Sequence, residues 1–280
     1  MRTQETTQKI SAEDLYQLEI LSSPSVSPDG DYVVYSKQWV DRESEEKYAN
    51  LWLKDTKNGQ TTRLTYGDQS DTKPRWSPSG KEIAFLSDRG ETESPQLYLI
   101  SPGGGEAKPL TSMEGIIQNF EWKPDSGKIL FQFRKHDSNE SAPASRRITR
   151  SFYKEEGLGY LPDGRWHIWT VEPNGGDPIQ LTDKEAFSSW DQNWNELEPS
   201  WSPGGDEIVF RSTRSDDPGM DLEAVDLLVM SLKKETITEI PTPEGPVEKP
   251  VFSPDGNYIA YDGREGKGQD WKQTDLWIVP

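Results

Sequence analysis

No cysteine occurs in the 280 residues, which excludes disulfides, thiolate nucleophiles and cysteine-ligated zinc or iron–sulfur centres. Histidine occurs twice, at His136 and His167, and no Gly-x-Ser-x-Gly segment is present. The nucleophile elbow of an α/β-hydrolase is therefore missing, and a Ser-His-Asp triad within these residues is not expected. No apolar run reaches membrane-spanning length, and Met1-Arg2-Thr3-Gln4-Glu5-Thr6-Thr7-Gln8-Lys9 is polar where a signal peptide would be apolar. We expect a cytoplasmic protein with no membrane contact. Basic residues are outnumbered, 31 against 49 acids for a net charge of −18, which argues against a nucleic-acid surface, because counterion release needs clustered Lys and Arg. No cofactor is expected. Asp216, Asp217, Asp221 and Asp226 do not fit the Asp-x-Asp-x-Asp-Gly calcium pattern and read as solvated charge.

Hydrophobic content is low at 31%, with a mean hydropathy of −0.87. What is present offsets this: 11 Trp, 10 Tyr and 8 Phe supply much buried area per residue, and 23 Gly with 21 Pro suit many short strands joined by turns. One stretch recurs. Trp201-Ser202-Pro203-Gly204-Gly205-Asp206-Glu207-Ile208-Val209-Phe210 is matched by copies beginning at Trp76, Phe252 and Val26, and by a copy from Trp122 whose later Gly reads as one inserted residue. Pro presets φ for the second position of a type I turn, Asp or Ser tolerates the third, and Gly supplies a left-handed fourth. Apolar flanks on such a turn make a short β-hairpin.

Each hairpin is followed by a third apolar strand, as in Leu51-Trp52-Leu53, Leu97-Tyr98-Leu99-Ile100, Ile168-Trp169-Thr170-Val171, Leu227-Leu228-Val229-Met230 and Leu276-Trp277-Ile278-Val279. A fourth strand ends on Leu-Thr at Leu64-Thr65, Leu110-Thr111 and Leu181-Thr182. Four antiparallel strands per repeat predict an all-β chain of β-propeller blades. The turn anchors sit at 27, 77, 123, 202 and 253, at spacings of 50, 46, 79 and 51. The expected organisation is an N-terminal segment at 1–23 with a short helix capped by Ser11, marked on one face by Leu15, Leu18 and Leu21 and ending before Pro24, then a partial propeller over 24–280. Its blades fall at about 24–65, 74–111, 119–182 with an insert at 135–165, 199–240 and an incomplete fifth at 250–280. Either residues 6–10 supply the fifth blade's outer strand or the chain is a truncated piece of a longer protein.

In an up-and-down blade, turns between strands one and two and between three and four share one end. These are uniformly tight. The other end carries the length variation, at 37–49, 88–95, 135–165, 183–198 and 212–224. Loops on a rigid scaffold carry function, so this is the expected interaction end. Within the insert, Arg146, Arg147, Arg150 and Lys154 form a cationic run beside Tyr153 in an acidic chain, suited to a carboxylate or a neighbouring domain, or to local pairing with Glu155 and Glu156. Trp190 and Trp194 lie in a polar loop at the same end, as a contact patch or as packing beneath the loop. His167 opens a third strand where other repeats have Asn50, Gln96, Asp226 and Asp275, which marks it as structural. His136 reads as a solvated residue at the base of the insert.

The N-terminal helix, the Trp-Ser-Pro-Asp-Gly-type hairpins, Phe85-Leu86-Ser87-Asp88-Arg89 and the Leu-Thr strand ends resemble the propeller of prolyl oligopeptidase-family serine peptidases. Ile148-Thr149-Arg150 followed by Tyr153-Lys154-Glu155-Glu156-Gly157-Leu158-Gly159-Tyr160 is similar to the acylaminoacyl-peptidase branch. The hairpins alone are also shared with TolB-like and other WD-like propellers. The peptidase resemblance implies a propeller capping a C-terminal α/β-hydrolase domain that carries the Ser, Asp and His. No such domain lies in these residues, so no catalytic residue is carried over. The implied role is to restrict access to that domain and help bind short peptides. The alternative is a free-standing module for binding protein or peptide.

Overall fold

The computed structural model describes residues 11–92, 94–136, 148, 153–155, 159–160, 164–182, 197–213, 225–266, 268 and 272–280. Apart from one short helix these residues build strands. The first sheet runs β1 (Ile20–Val26), β2 (Tyr32–Val40), β3 (Lys47–Asp55) and β4 (Thr61–Arg63), in that spatial order. The second runs β5 (Asp71–Trp76), β6 (Ile83–Ser87), β7 (Gln96–Ile100) and β8 (Lys108–Pro109). The third begins with β9 (Gly115–Trp122) and β10 (Ile129–Lys135). A separate two-stranded pair, β11 (Lys154–Glu155) and β12 (Gly159–Tyr160), lies within the insert before β13 (Trp166–Val171) and β14 (Ile179–Gln180) complete the sheet. The fourth is β15 (Ser200–Trp201), β16 (Glu207–Ser212), β17 (Asp226–Ser231) and β18 (Thr236–Ile240). The fifth has three strands, β19 (Val247–Phe252), β20 (Ile259–Gly263) and β21 (Asp275–Val279). This is the all-β, blade-by-blade plan that the repeats predict.

The chain divides into two compact units, Met1–Glu91 with Leu97–Pro109, and Thr92–Gln96 with Leu110–Pro280. In the first unit, Val34 and Leu51 of one sheet pack with Ile83, Phe85 and Tyr98 of the next. In the second, Leu130, Trp166 and Ile168 of the third sheet meet Ile208 and Phe210 of the fourth. Val209, the residue between those two, points the other way into a cluster with Val247, Ile259 and Tyr261. Successive residues of a strand face opposite sides, so a sheet covered on both faces reads as the unbroken apolar run Ile208-Val209-Phe210. Each such side chain, fully buried, contributes about 1.5–3 kcal/mol.

The recurring serine has a defined task. Ser27 Oγ accepts the Tyr32 N–H at 2.9 Å and donates to Asp29 Oδ1 at 2.6 Å, and Gly30 sits at φ +77°. Ser253 repeats this with Tyr258 at 3.0 Å and Asp255 at 2.5 Å. In the copy from Trp122 the left-handed position falls to Ser126, at φ +63°, rather than to Gly127. The expected insertion is absent: the Ser126 N–H reaches the Lys123 carbonyl at 2.8 Å as Gly30 reaches Ser27, and the Lys123 N–H reaches the Lys128 carbonyl as Ser27 reaches Tyr32, so the turn keeps its place and only its glycine stands one residue later.

Three details differ from the sequence expectation. The N-terminal helix is 3-10, Ala12–Gln17, with Asp14 Oδ2 accepting the Ser11 N–H at 2.8 Å. Leu21 belongs to β1, and Leu15 and Leu18 stay exposed. The loop expected at 37–49 is mostly strand, because β2 and β3 keep pairing out to Val40↔Lys47. Trp39 and Tyr48, opposite one another with ring centroids 6.0 Å apart, and Arg63 5.5 Å over the Trp39 ring supply the packing that extends it. Finally, the first strands are bulged. Ser23, Lys73, Glu198 and Lys249 each precede a proline and take φ between +46° and +52°. At Ser23, Lys73 and Lys249 this coincides with a register shift in the pairing. Proline cannot donate to a ladder, so pairing stops there and resumes after it.

Candidate functional site

The site develops at the variable-loop end of the third sheet. Phe133 of β10 stands opposite His167 of β13, and Trp169 stands opposite Gln180 of β14. Trp166, Ile168 and Leu130 go into the core shared with the fourth sheet. Alternation therefore sends Phe133, His167 and Trp169 to the opposite face. There they line a cavity of about 620 Å³ with Met113, Glu114, Lys135, Arg165 and Gln180. Phe133 and Trp169 meet edge to face, centroids 5.7 Å apart at 81°. Gly115 lets β9 approach closely: a Cβ there would lie 2.2 Å from the Arg134 carbonyl oxygen and 2.5 Å from the Phe133 ring.

The Leu-Thr signature fixes this corner. Thr182 Oγ1 accepts the Ile168 N–H at 3.0 Å and lies 3.1 Å from His167 Nδ1. In the first sheet Thr65 Oγ1 accepts the Leu51 N–H at 2.9 Å, and at the second sheet Thr111 Oγ1 donates to Gln96 Oε1 at 2.9 Å. The threonine thus clasps the head of the third strand in its own repeat. This is the structural role expected of His167, with the addition that its ring also lines the cavity. His136 is exposed, as its reading as a solvated residue requires, and its Nε2 lies 3.0 Å from Ser94 Oγ.

Electrostatics distinguish the cavity from the acidic chain around it. Lys135 and Arg165 sit one residue beyond the Arg134↔Trp166 pair, on either strand. The Arg134 guanidinium lies 4.9 Å over the Trp166 ring. Glu114 is the one acid among the lining residues, and no ion pair joins it or Lys135 to another described residue. The Trp169 indole N–H is buried without a hydrogen-bond partner.

A second cleft, of about 430 Å³, lies along the bulged first strands of the third to fifth sheets, lined by Phe120, Glu121, Glu198, Pro199, Lys249 and Pro250 among others. Glu121 Oε2 accepts the Trp201 N–H at 3.2 Å. Burial pushes its carboxyl up to about 7, against the opposing pull of the Trp201 N–H and the Ser200 hydroxyl. Glu198 is ion-paired with Arg211 at 2.9 Å and accepts the Lys249 N–H at 2.7 Å. Lys249 Nζ in turn lies 3.2 Å from Asp262.

Of the residues singled out in the sequence, Tyr153 is described; it lies immediately before β11 and is 40% exposed. Arg146, Arg147, Arg150, Trp190 and Trp194 lie outside the described residues. Sequence reasoning missed Phe133, Lys135, Arg165, Trp169 and Glu121. The available signal was weak: Trp169 is one aromatic of many on a third strand, and Lys135 and Arg165 are 30 residues apart.

Comparison with known proteins places these features in context. The family described as TolB beta propeller domain matches residues 5–189. An uncharacterized peptidase, YuxL, of Bacillus subtilis (strain 168) is 31% identical over 220 residues, covering 74% of this chain and 32% of that protein. The uncharacterized protein Atu1656 of Agrobacterium fabrum (strain C58) is 26% identical over 264 residues, covering 87% of this chain and 84% of its own length. Among solved structures, Pyrococcus horikoshii acylaminoacyl peptidase superposes with a TM-score of 0.72 at 19% identity, over 94% of this chain and 38% of that one. The chain thus spans about a third of the Bacillus peptidase, and the Pyrococcus likeness is one of fold.

Proposed function

This chain belongs to the TolB β-propeller domain family, and from that premise we propose that it is the non-catalytic propeller portion of an acylaminoacyl-peptidase-like serine peptidase. In this reading it restricts access to a C-terminal α/β-hydrolase domain and helps bind short peptides for it. The observation that carries the reading is the pairing of a peptidase relative with a peptidase fold neighbour, each matched over about a third of its length. Gating is steric: stacked blades exclude folded proteins while short chains pass. Arg146, Arg147, Arg150, Tyr153, Trp190 and Trp194 are proposed peptide or domain contacts, and the cytoplasmic setting belongs to the same proposal.

Reading the gene beyond the codon for Pro280 tests this. An in-frame continuation with a Gly-x-Ser-x-Gly segment, followed by Asp and His, is expected. The purified 280 residues should leave aminoacyl and acyl-peptide anilides intact. Serine-inhibitor-sensitive turnover by this chain would contradict the non-catalytic role. A second reading, a free-standing binding module, is favoured by the Agrobacterium relative, of which the chain covers 84%; a stop codon followed by an unrelated gene would select it.

A further inference from the structure

We propose that the cleft along the first strands of the third to fifth sheets is a subsite for a lysine side chain of a short peptide, held by the Glu121 carboxylate. The inference rests on the peptide-binding half of the function proposed above and names the side chain that one place takes.

The lining carries three ionisable groups, Glu121, Glu198 and Lys249. Two of them are already neutralised: Glu198 by Arg211 at 2.9 Å, and Lys249 by Asp262 at 3.2 Å. No ion pair joins Glu121 to another described residue. Its partners are the Trp201 N–H and the Ser200 hydroxyl. Glu121 is also partly exposed, so a ligand in the cleft can reach it.

The link that Glu121 makes between neighbouring first strands does not call for a charge. In the first unit Ser25 Oγ makes the same kind of link, accepting the Trp76 N–H at 3.3 Å. A hydroxyl does this without desolvating an ion. A carboxylate drawn out of water is costly unless a cation matches it, and a ligand in this cleft is the place from which that cation can come.

Geometry selects the kind of cation. Glu121 Oε2 is engaged by the Trp201 N–H, whereas a guanidinium fork takes both oxygens of a carboxylate. An ammonium is a compact point charge that a single oxygen can hold. A divalent metal ion needs several oxygen ligands, and Glu198 is committed to Arg211. Phe120, Pro199 and Val251 offer accessible apolar surface for the methylene stem of a lysine. A cleft of about 430 Å³ has room for that side chain and its flanking backbone.

An ammonium favours the ionised carboxyl, so its binding competes with the proton that burial holds on Glu121 up to about 7. A lysine ammonium, with an ordinary value of about 10.4, keeps its charge throughout that range. So does Lys249, raised by its hydrogen bond to Asp262. Affinity should therefore climb as pH rises through 7.

The test uses the whole 280-residue chain and isothermal titration with three end-blocked probes: acetyl-Ala-Lys-Ala-amide and the same peptide with arginine or norleucine in place of lysine. At pH 8 the lysine peptide should bind about tenfold more tightly than the norleucine peptide, and more tightly than the arginine peptide. Its affinity should fall about tenfold between pH 8 and pH 6, following the ionised fraction of Glu121. Glu121→Gln still accepts from the Trp201 N–H but cannot ionise, and should remove both the lysine preference and the pH dependence. Val251→Lys, a change at an exposed lining residue, supplies an ammonium from the rim and should weaken the lysine peptide about tenfold. If lysine and norleucine peptides bind alike, if arginine binds as tightly as lysine, or if Glu121→Gln keeps the preference, the subsite proposal is overturned while peptide binding by the chain stands. If none of the peptides binds, the peptide-binding reading itself fails, and this proposal with it.

Discussion

Arg89 Nη2 lies 2.6 Å from each oxygen of the Asp71 carboxylate, a side chain with no exposed surface. Asp71 opens β5 opposite Ser87, whose hydroxyl accepts the Arg89 Nε–H at 2.9 Å, and Gln69 donates to the same carboxylate at 3.1 Å. The guanidinium also lies over the rings of Phe85 and Tyr98, at 5.4 and 5.3 Å. One arginine thus ties the Ser87-Asp88-Arg89 segment back onto the strand that begins its own sheet.

Removing one partner of such a pair should cost more than removing both. Asp71→Ala leaves the guanidinium among aromatic rings without its carboxylate, a loss of about 3–5 kcal/mol. The double change Asp71→Leu with Arg89→Met replaces the pair with apolar volume and should recover most of it. Urea denaturation of the two variants decides; a double variant less stable than Asp71→Ala would show that the pair itself contributes net stability.

The threonine clasp gives a second prediction. Thr182→Val keeps the shape but removes the acceptor for the Ile168 N–H and the partner of His167 Nδ1. A buried N–H left unpaired costs about 1–3 kcal/mol. Thr182→Ser retains the hydroxyl and should cost less than half as much. Thermal melts of the two variants measure the difference, and equal losses would assign the effect to the methyl group instead.

Glu121 predicts a dependence on pH. Its carboxyl is raised from 4.5 to about 7 in the folded chain, so the folded state holds a proton that the unfolded state releases. Stability from this group is present below about pH 4.5 and is lost as pH rises through about 7. The full shift corresponds to roughly 3 kcal/mol, and the partial exposure of the side chain reduces that to about 1–2 kcal/mol. Glu121→Gln, which still accepts from the Trp201 N–H, should therefore be more stable than the parent by about that amount at pH 8 and equal to it near pH 4. Denaturation midpoints at the two pH values check this. A stabilisation that did not change with pH would trace to packing rather than ionisation.

Much of the fold was legible because its determinants are local. A Ser-Pro-Asp-Gly turn carries its own hydrogen bonds, as Ser27 with Asp29 and Tyr32 shows, so each copy announces a hairpin wherever it occurs. The Leu-Thr ends are nearly as local, joining the fourth strand to the third of the same repeat. Where a determinant lay one step further out, the reading slipped. The extension of β2 and β3 depends on Trp39 meeting Tyr48 and Arg63, and Ser126 takes the left-handed place although the glycine that signalled the turn stands one residue later.

The amino-acid sequence by itself thus determined the number of repeats, their strand order within a sheet and the end at which loops vary, because turn chemistry and strand alternation act over a few residues. Tertiary structure alone decided the cavity and the acidic cleft. Met113, Phe133, Arg165 and Gln180 come from connections and strands far apart in the chain, and Glu121, Glu198 and Lys249 come from three different sheets. Their chemistry, a cation pair beside aromatic rings or a carboxyl held up to about 7, exists only after packing brings those side chains together and removes water from between them.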